Sequence, residues 1–285
     1  MDRRSIIKIL DDADKGGYAI PMFNYTDLWD MSAVLEAAIN LSAPIMFATI
    51  PKTANALGID VLGAVGSIQM DKMKGVLIHH LDHSNTAKLC KQAIDYGFPS
   101  VMIDASREPL TENISIVKEV TSYAHQKEVF VEAEIGRIKG RGYEGDFTGN
   151  DFLVVVEEAV ELVKETGVDS LAIGIGTAHG FYKGKPEINF ERLKQVNAAV
   201  DIPLVLHGGT GIPADDVRKA IKFGINKVNI GTQIRYTYMK NVRDEVSRRG
   251  ADTHTVEIMT EVKKAIKTEV EKWIKICMAD GKAQI

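Results

Sequence analysis

Cysteine is scarce in this chain. Its 285 residues include two, Cys90 and Cys277. They lie far apart in segments that read as helices, without a Cys-x-x-Cys pair, which excludes a disulfide framework. Runs of basic residues are missing as well. With 35 Lys and Arg against 39 Asp and Glu, the formal net charge is -4 and the pI is near 6.0, so nothing marks a nucleic-acid or anionic-membrane partner. No apolar window is long enough to span a bilayer, and the most apolar, Ala37 to Pro51, holds Asn40, Ser42 and Pro44. The opening MDRRSIIKILDDADKG carries too short an apolar stretch for a signal peptide, with acidic residues directly after it. These absences lead to an expectation of a cytoplasmic protein. Low-complexity tracts and internal repeats are also lacking, so the expectation is one domain over residues 1–285.

What is present is an alternation of short Val/Ile/Leu-rich runs with longer segments of helical periodicity. The eight runs are Tyr18 to Asn24, Ala43 to Thr49, Gly75 to Asp82, Ser100 to Asp104, Glu128 to Glu134, Ser170 to Gly176, Ile202 to His207 and Lys227 to Gly231. They are apolar on both faces, as parallel strands covered by helices require. An open doubly wound sheet would want a Gly-rich turn after the first strand, and Asn24-Tyr25-Thr26-Asp27 is not one. The expected fold class is α/β, a (β/α)8 TIM barrel, with an additional C-terminal helix from Thr255 to Met278 that packs in the core or against a subunit. Gly136 to Asn150 is too long for an ordinary connection and reads as a mobile loop of the kind that covers active sites.

Barrel enzymes place their chemistry at the carboxyl ends of the strands. The polar residues there are Asn24, Asp82, His83, Asp104, Glu132, Glu134, His179, His207 and Asn229. His83, His179 and His207 come from three strand ends on one rim and suit an open Zn²⁺ site, with Asp104 and Glu134 as orienting carboxylates or reserve ligands. His79, His80, His125 and His254 lack such positions. Two turns, His207-Gly208-Gly209-Thr210-Gly211 and Asn229-Ile230-Gly231-Thr232, each open a helix and suit a phosphate. A metal beside a phosphate site implies a phosphorylated substrate whose oxygen reaches the metal. With Asp82 moving protons at the other reacting carbon, carbon–carbon bond cleavage or formation follows.

These motifs resemble the class II, metal-dependent fructose-bisphosphate aldolase family, in particular its tagatose-bisphosphate aldolase-like branch, over nearly the whole chain. The resemblance is carried by Pro21-Met22-Phe23-Asn24, Leu81-Asp82-His83, Ser100 to Asp104, Val131 to Gly136, Gly176 to Gly180, Leu206 to Gly211 and Asn229 to Thr232. It implies His83, His179 and His207 as zinc ligands, with Asp104 and Glu134 at the metal site and Asp82 as proton donor. It implies that Asn24, Gly180, Gly208, Gly209, Thr210, Asn229, Ile230, Gly231 and Thr232 bind substrate, with a monovalent cation (Na⁺ or K⁺) beside the phosphate. The implied reaction is reversible cleavage of fructose or tagatose 1,6-bisphosphate to dihydroxyacetone phosphate and glyceraldehyde 3-phosphate. A homodimer or homotetramer is implied too.

Some positions depart from the family pattern. On the loop after Glu134, only Glu144 or Asp146 could supply the family's mobile acid. Gly231 stands where fructose-specific members often have Asp, and Arg107 where His is common, so Arg107 is expected to help set aldehyde specificity. Three other readings compete: a Schiff-base aldolase, for which Lys127 and Lys227 sit at strand beginnings, the wrong end of a barrel; a zinc hydrolase; and a barrel that binds sugar phosphates without catalysis.

Overall fold

The computed structural model describes residues 1–72, 77–138, 152–182, 184 and 186–283. Eight parallel strands close into a barrel in sequence order, with β1 (Ile20–Asn24) paired to β8 (Ile225–Ile230). Between them run β2 (Ile45–Thr49), β3 (Leu77–Ser84), β4 (Ser100–Ile103), β5 (Phe130–Ile135), β6 (Ser170–Ile173) and β7 (Leu204–Leu206). The expected (β/α)8 barrel is what forms, and each strand overlaps an expected run, β3 and β5 ending later and β8 starting earlier than expected; Gly75 and Val76 of the third run lie outside the described residues.

The helices explain themselves locally. The first, α1 (Arg3–Gly16), precedes the barrel. It is capped by the Asp2 carboxylate, which accepts from the Ser5 N–H, and ends at Gly17 in the left-handed region, φ +65°. Its Ile6, Leu10 and Ala13 form one buried stripe, and it lies across the amino end of the barrel, with Arg3 bound to Asp169 and Asp14 to Asn226. A capping box between Asp27 and Asp30 starts α2 (Leu28–Asn40).

A short helix after β2, α3 (Pro51–Leu57), was not expected from the sequence; it leads into α4 (Ile59–Lys72). Then follow α5 (Ala87–Asp95), α6 (Leu110–His125), α7 (Val156–Thr166), α8 (Phe190–Ala199), α9 (Ala214–Lys222) and α10 (Thr232–Arg249). The expected C-terminal helix is α11 (Thr255–Ile276). It packs against α2 and α10 through Val262, Ile266, Val270, Trp273 and Ile274. Of the two roles expected for that stripe, core packing within the chain is the one observed. Among the described residues no helix is long and apolar enough to cross a membrane.

Candidate active site and metal centre

Successive residues of a strand point to opposite faces, so Asp82 and His83 could not both reach the rim on a regular β3. His83 departs from regularity: its φ is +49°, and the pairing of β3 with β4 shifts between Leu81 and Ser84. That left-handed residue turns both side chains to the carboxyl end. Asp82 is buried and held from two sides, Asn24 Nδ2 of β1 donating to Oδ2 at 2.8 Å and Asn229 Nδ2 of β8 to Oδ1 at 3.3 Å.

The three rim histidines meet beside it. His207 Nδ1 faces His83 Nε2 at 2.9 Å, and the His83 ring stands edge-on to His179 with centroids 4.8 Å apart. One nitrogen from each of the three lies within 4.8 Å of the others; His83, Asp104 and Glu134 form a second group of the same tightness. Asp104 Oδ2 is 3.0 Å from His83 Nδ1, and Glu134 Oε2 is 4.0 Å from both His83 Nδ1 and His207 Nδ1.

Electrostatics separate the rings. Burial opposes charge on His83, but Asp82, Asp104 and Glu134 outweigh it and hold its pKa well above the ordinary value. Burial, reinforced by the His83 charge, pulls His179 down to about 3 and His207 well below the histidine range. Asp104 is pushed up by burial, yet its hydrogen bond and attraction to His83 win and keep it below the usual carboxylate range.

This donor set fits a divalent metal. Two ring nitrogens 2.9 Å apart cannot both carry a proton, and Glu132 Oε1, an acceptor, lies 2.8 Å from His207 Nε2. Asn229 Nδ2, a donor, stands 3.0 Å from the same Nε2, but the charged Glu132 oxygen is nearer and sets the His207 proton on Nε2, so that the Nδ1 lone pair faces the rim. Imidazole nitrogens with nearby carboxylates suit a borderline ion such as Zn²⁺ better than Mg²⁺.

The two expected phosphate turns lie side by side. Gly208 has φ +71°, and a Cβ there would come within 2.4 Å of the Ala178 carbonyl, so the turn lies against the loop of His179 and can only be glycine. The Gly209 N–H donates to the Asn229 carbonyl at 3.0 Å, and Thr210 Oγ1 accepts from the Gln233 N–H at 3.0 Å, joining the first turn to the second. Gly231 caps α10, whose first residue is Thr232; a Cβ at 231 would come 2.4 Å from Asn24 Oδ1. Ile230 packs its side chain in the core, which leaves its backbone to the turn. Gly180 follows His179 with φ +94°.

Other expected residues stand apart. Arg107 is exposed on the loop after β4, and its carbonyl accepts from Arg137 Nη2 at 3.4 Å. Glu144 and Asp146 lie outside the described residues, as does the segment 139–150 of the expected mobile loop. His79 is stacked in the core between Phe47 and Phe98, His80 meets Ser100, His125 meets Asp169, and His254 caps α11.

Lys227 requires a correction. It was expected at a strand beginning, but β8 starts at Ile225, and Lys227 is its third residue, fully buried and bound to Glu132 at 2.7 Å. Asn226 hid those two residues of strand: it is a polar residue inside the run, satisfied by the Leu204 N–H and by Asp14. A Schiff-base lysine must meet substrate, and this one is closed off.

Glu132 was placed at the strand end but given no role, although it shares the inward face of β5 with Glu134 by simple alternation; one residue of the site was missed altogether. Tyr182 gave no signal: its hydroxyl accepts from the Ala178 N–H at 2.9 Å and donates to the Gly208 carbonyl at 3.1 Å, bracing the loop of His179 against the turn after His207.

The sequence model of the family described as Fructose-bisphosphate aldolase class-II matches residues 4–282. Among solved structures, the chain is similar to the YdjI aldolase of Escherichia coli K12, at 31% identity over 98% of each chain with a TM-score of 0.84. It is also similar to a protein of Coccidioides immitis provisionally assigned as a fructose-1,6-biphosphate aldolase, at 28% identity over 97% of each chain with a TM-score of 0.89. The fructose-bisphosphate aldolase of Campylobacter jejuni shares the fold, at 22% identity over 98% of this chain and 96% of that one with a TM-score of 0.80.

Proposed function

The chain belongs to the class II fructose-bisphosphate aldolase family and is a carbon–carbon lyase, and from that premise we propose that it reversibly cleaves a ketose 1,6-bisphosphate, fructose or tagatose, to dihydroxyacetone phosphate and glyceraldehyde 3-phosphate. The observation that carries this reading is the clamp on Asp82: Asn24 and Asn229 hold its two oxygens beside the three imidazoles. In the cleavage direction the Asp82 carboxylate accepts the proton of the C4 hydroxyl. The C3–C4 bond breaks, C4 leaves as the aldehyde, and the electron pair stays on the dihydroxyacetone phosphate half until C3 is protonated. Zn²⁺ held by His83, His179 and His207, with Asp104 and Glu134 adjacent, would polarise the ketose carbonyl and stabilise the charge that develops next to it. The turns at Gly208-Gly209-Thr210 and Asn229 to Thr232, with Gly180, hold the phosphate through the N-terminus of α10 and backbone N–H groups other than that of Gly209, which the Asn229 carbonyl holds, with a monovalent cation alongside. In this reading the protein works in the cytoplasm, as a homodimer or homotetramer.

A second substrate reading, dihydroxyacetone phosphate with a different aldehyde, draws on Arg107, which stands exposed on the loop after the strand that leads to Asp104. The test is triose phosphate release from fructose and tagatose 1,6-bisphosphate, with and without chelator and with zinc restored. Zinc-dependent release from either supports the first reading. If neither is cleaved while dihydroxyacetone phosphate still exchanges its C3 proton, the second stands, and an unchanged aldehyde profile in Arg107→Ala then removes Arg107 from it.

A further inference from the structure

The interior of a (β/α)8 barrel is ordinarily filled by branched apolar side chains. Here Met102, Ala172 and Val205, on β4, β6 and β7, form a small apolar cluster separate from the main core. Beneath His207 the barrel instead holds His80, Ser100, Glu132, Ser170 and Lys227, all fully buried. Glu132 and Lys227 form an ion pair at 2.7 Å with neither side chain exposed. A buried ion pair is a weak source of stability, because desolvating both charges offsets their attraction and apolar residues of equal volume serve as well or better. The pair therefore calls for another explanation.

Its hydrogen bonds supply one. Glu132 divides its oxygens: Oε2 accepts from Lys227 Nζ, and Oε1 from His207 Nε2 at 2.8 Å. The other donor to Oε2 among the described residues is Ser170 Oγ, at 3.5 Å, the edge of hydrogen-bond range. Lys227 thus fixes the plane of the carboxylate, and the carboxylate fixes the ring of His207 with Nδ1 turned to His83 Nε2. Reaching from β8 to β5, the lysine stem fills the interior while its ammonium meets the acid.

We propose that Lys227 is a positioning residue of the metal centre: bound to Glu132, it holds His207 in the orientation that presents Nδ1 as a ligand. The inference rests on the reading of His207 as a metal ligand. Lys227 touches no reacting atom, and its effect is on how well the metal is held.

The test is a Co²⁺ titration of metal-free protein against a chromophoric chelator, with the visible absorption of bound Co²⁺ recorded. Lys227→Met keeps the stem and removes the ammonium. Its dissociation constant for Co²⁺ rises roughly 10- to 100-fold and its absorption bands change, while KM for substrate at saturating metal stays within about twofold of wild type. Because that variant leaves Glu132 as an uncompensated buried charge, the double variant Lys227→Met/Glu132→Gln is measured alongside; it folds with the wild-type circular dichroism and shows the same weakened binding. Wild-type Co²⁺ affinity and absorption in either variant overturn the proposal and leave the metal reading intact. A wild-type protein that binds no Co²⁺, or binds it equally well as His207→Ala, overturns the metal reading first.

Discussion

At the amino end of the barrel, Asp169 accepts from Arg3 Nε at 2.7 Å, from the Val131 N–H at 2.8 Å and from His125 Nε2 at 3.0 Å. At the carboxyl end, His207 Nδ1 faces another ring nitrogen, and Asn229 Oδ1 and Thr177 Oγ1 are buried without a hydrogen-bond partner among the described residues. Both ends are rich in polar groups, yet Asp169 completes its bonds within the chain, whereas the rim keeps unpaired oxygens among the described residues. Unpaired buried polar atoms are costly; those at Asn229 and Thr177 stand beside the three imidazoles, where a ligand would complete them, while others, such as His79 Nδ1 in its aromatic stack, lie away from the rim. Substitutions at the two ends accordingly separate activity from stability.

The largest effect is expected at the rim. Asp82→Asn removes the proton acceptor and keeps the side-chain volume; kcat falls roughly 100- to 10,000-fold in a triose phosphate release assay, and the melting midpoint stays within about 3 °C of wild type. A wild-type kcat would place the proton-transfer group elsewhere. At the opposite end Asp169→Asn strips the charge from three bonds at once, and urea denaturation registers a loss of about 2–4 kcal/mol; kcat per folded molecule is unchanged. If activity fell as steeply as stability, the division between the ends would fail.

A finer probe is Gly231→Ala. Its methyl would meet Asn24 Oδ1 at 2.4 Å, so Asn24 must shift and loosen its 2.8 Å bond to Asp82. The expected cost is about tenfold in kcat, from misplacement rather than loss of a group, and an Asn24→Ala background removes the clash and with it most of the difference.

The smallest effect on activity concerns Asp30, at the start of α2. Burial raises its pKa to about 6, against the hydrogen bonds it accepts from the Thr26, Asp27 and Met31 N–H groups. Between its ordinary value of 3.8 and about 6, the folded state holds a proton that the unfolded state has released. Stability therefore falls as pH rises through that window, by about 3 kcal/mol at most. Asp30→Asn flattens that slope in urea denaturation at pH 4 to 6, and an unchanged slope would mean the carboxyl titrates normally.

The alternation of strand and helix and the residues ending each strand could be read directly, because period and burial leave marks in one dimension. That is how Asp82, His83, His179 and His207 could be picked out. The kink at His83 left no such mark: a positive φ in a non-glycine residue depends on the rim that surrounds it. Lys227 was misjudged because charge in a strand usually means an end, and its partner Glu132 lies 95 positions away. The first helix is legible in the spacing of Ile6, Leu10 and Ala13. Tyr182 bridges two loops through one hydroxyl, a relation that no local pattern encodes.

The closure of the ring has a consequence in time. Asp82 is oriented by one amide from β1 and another from β8, the second 147 residues beyond Asp82 itself. As the polypeptide emerges from the ribosome, β1 waits with an open edge until β8 arrives, and such distant pairings are the slowest to form. No partial product can therefore hold the proton-transfer group in place. Activity appears with the last strand, and its onset during synthesis or refolding is a clock for the closing of the barrel.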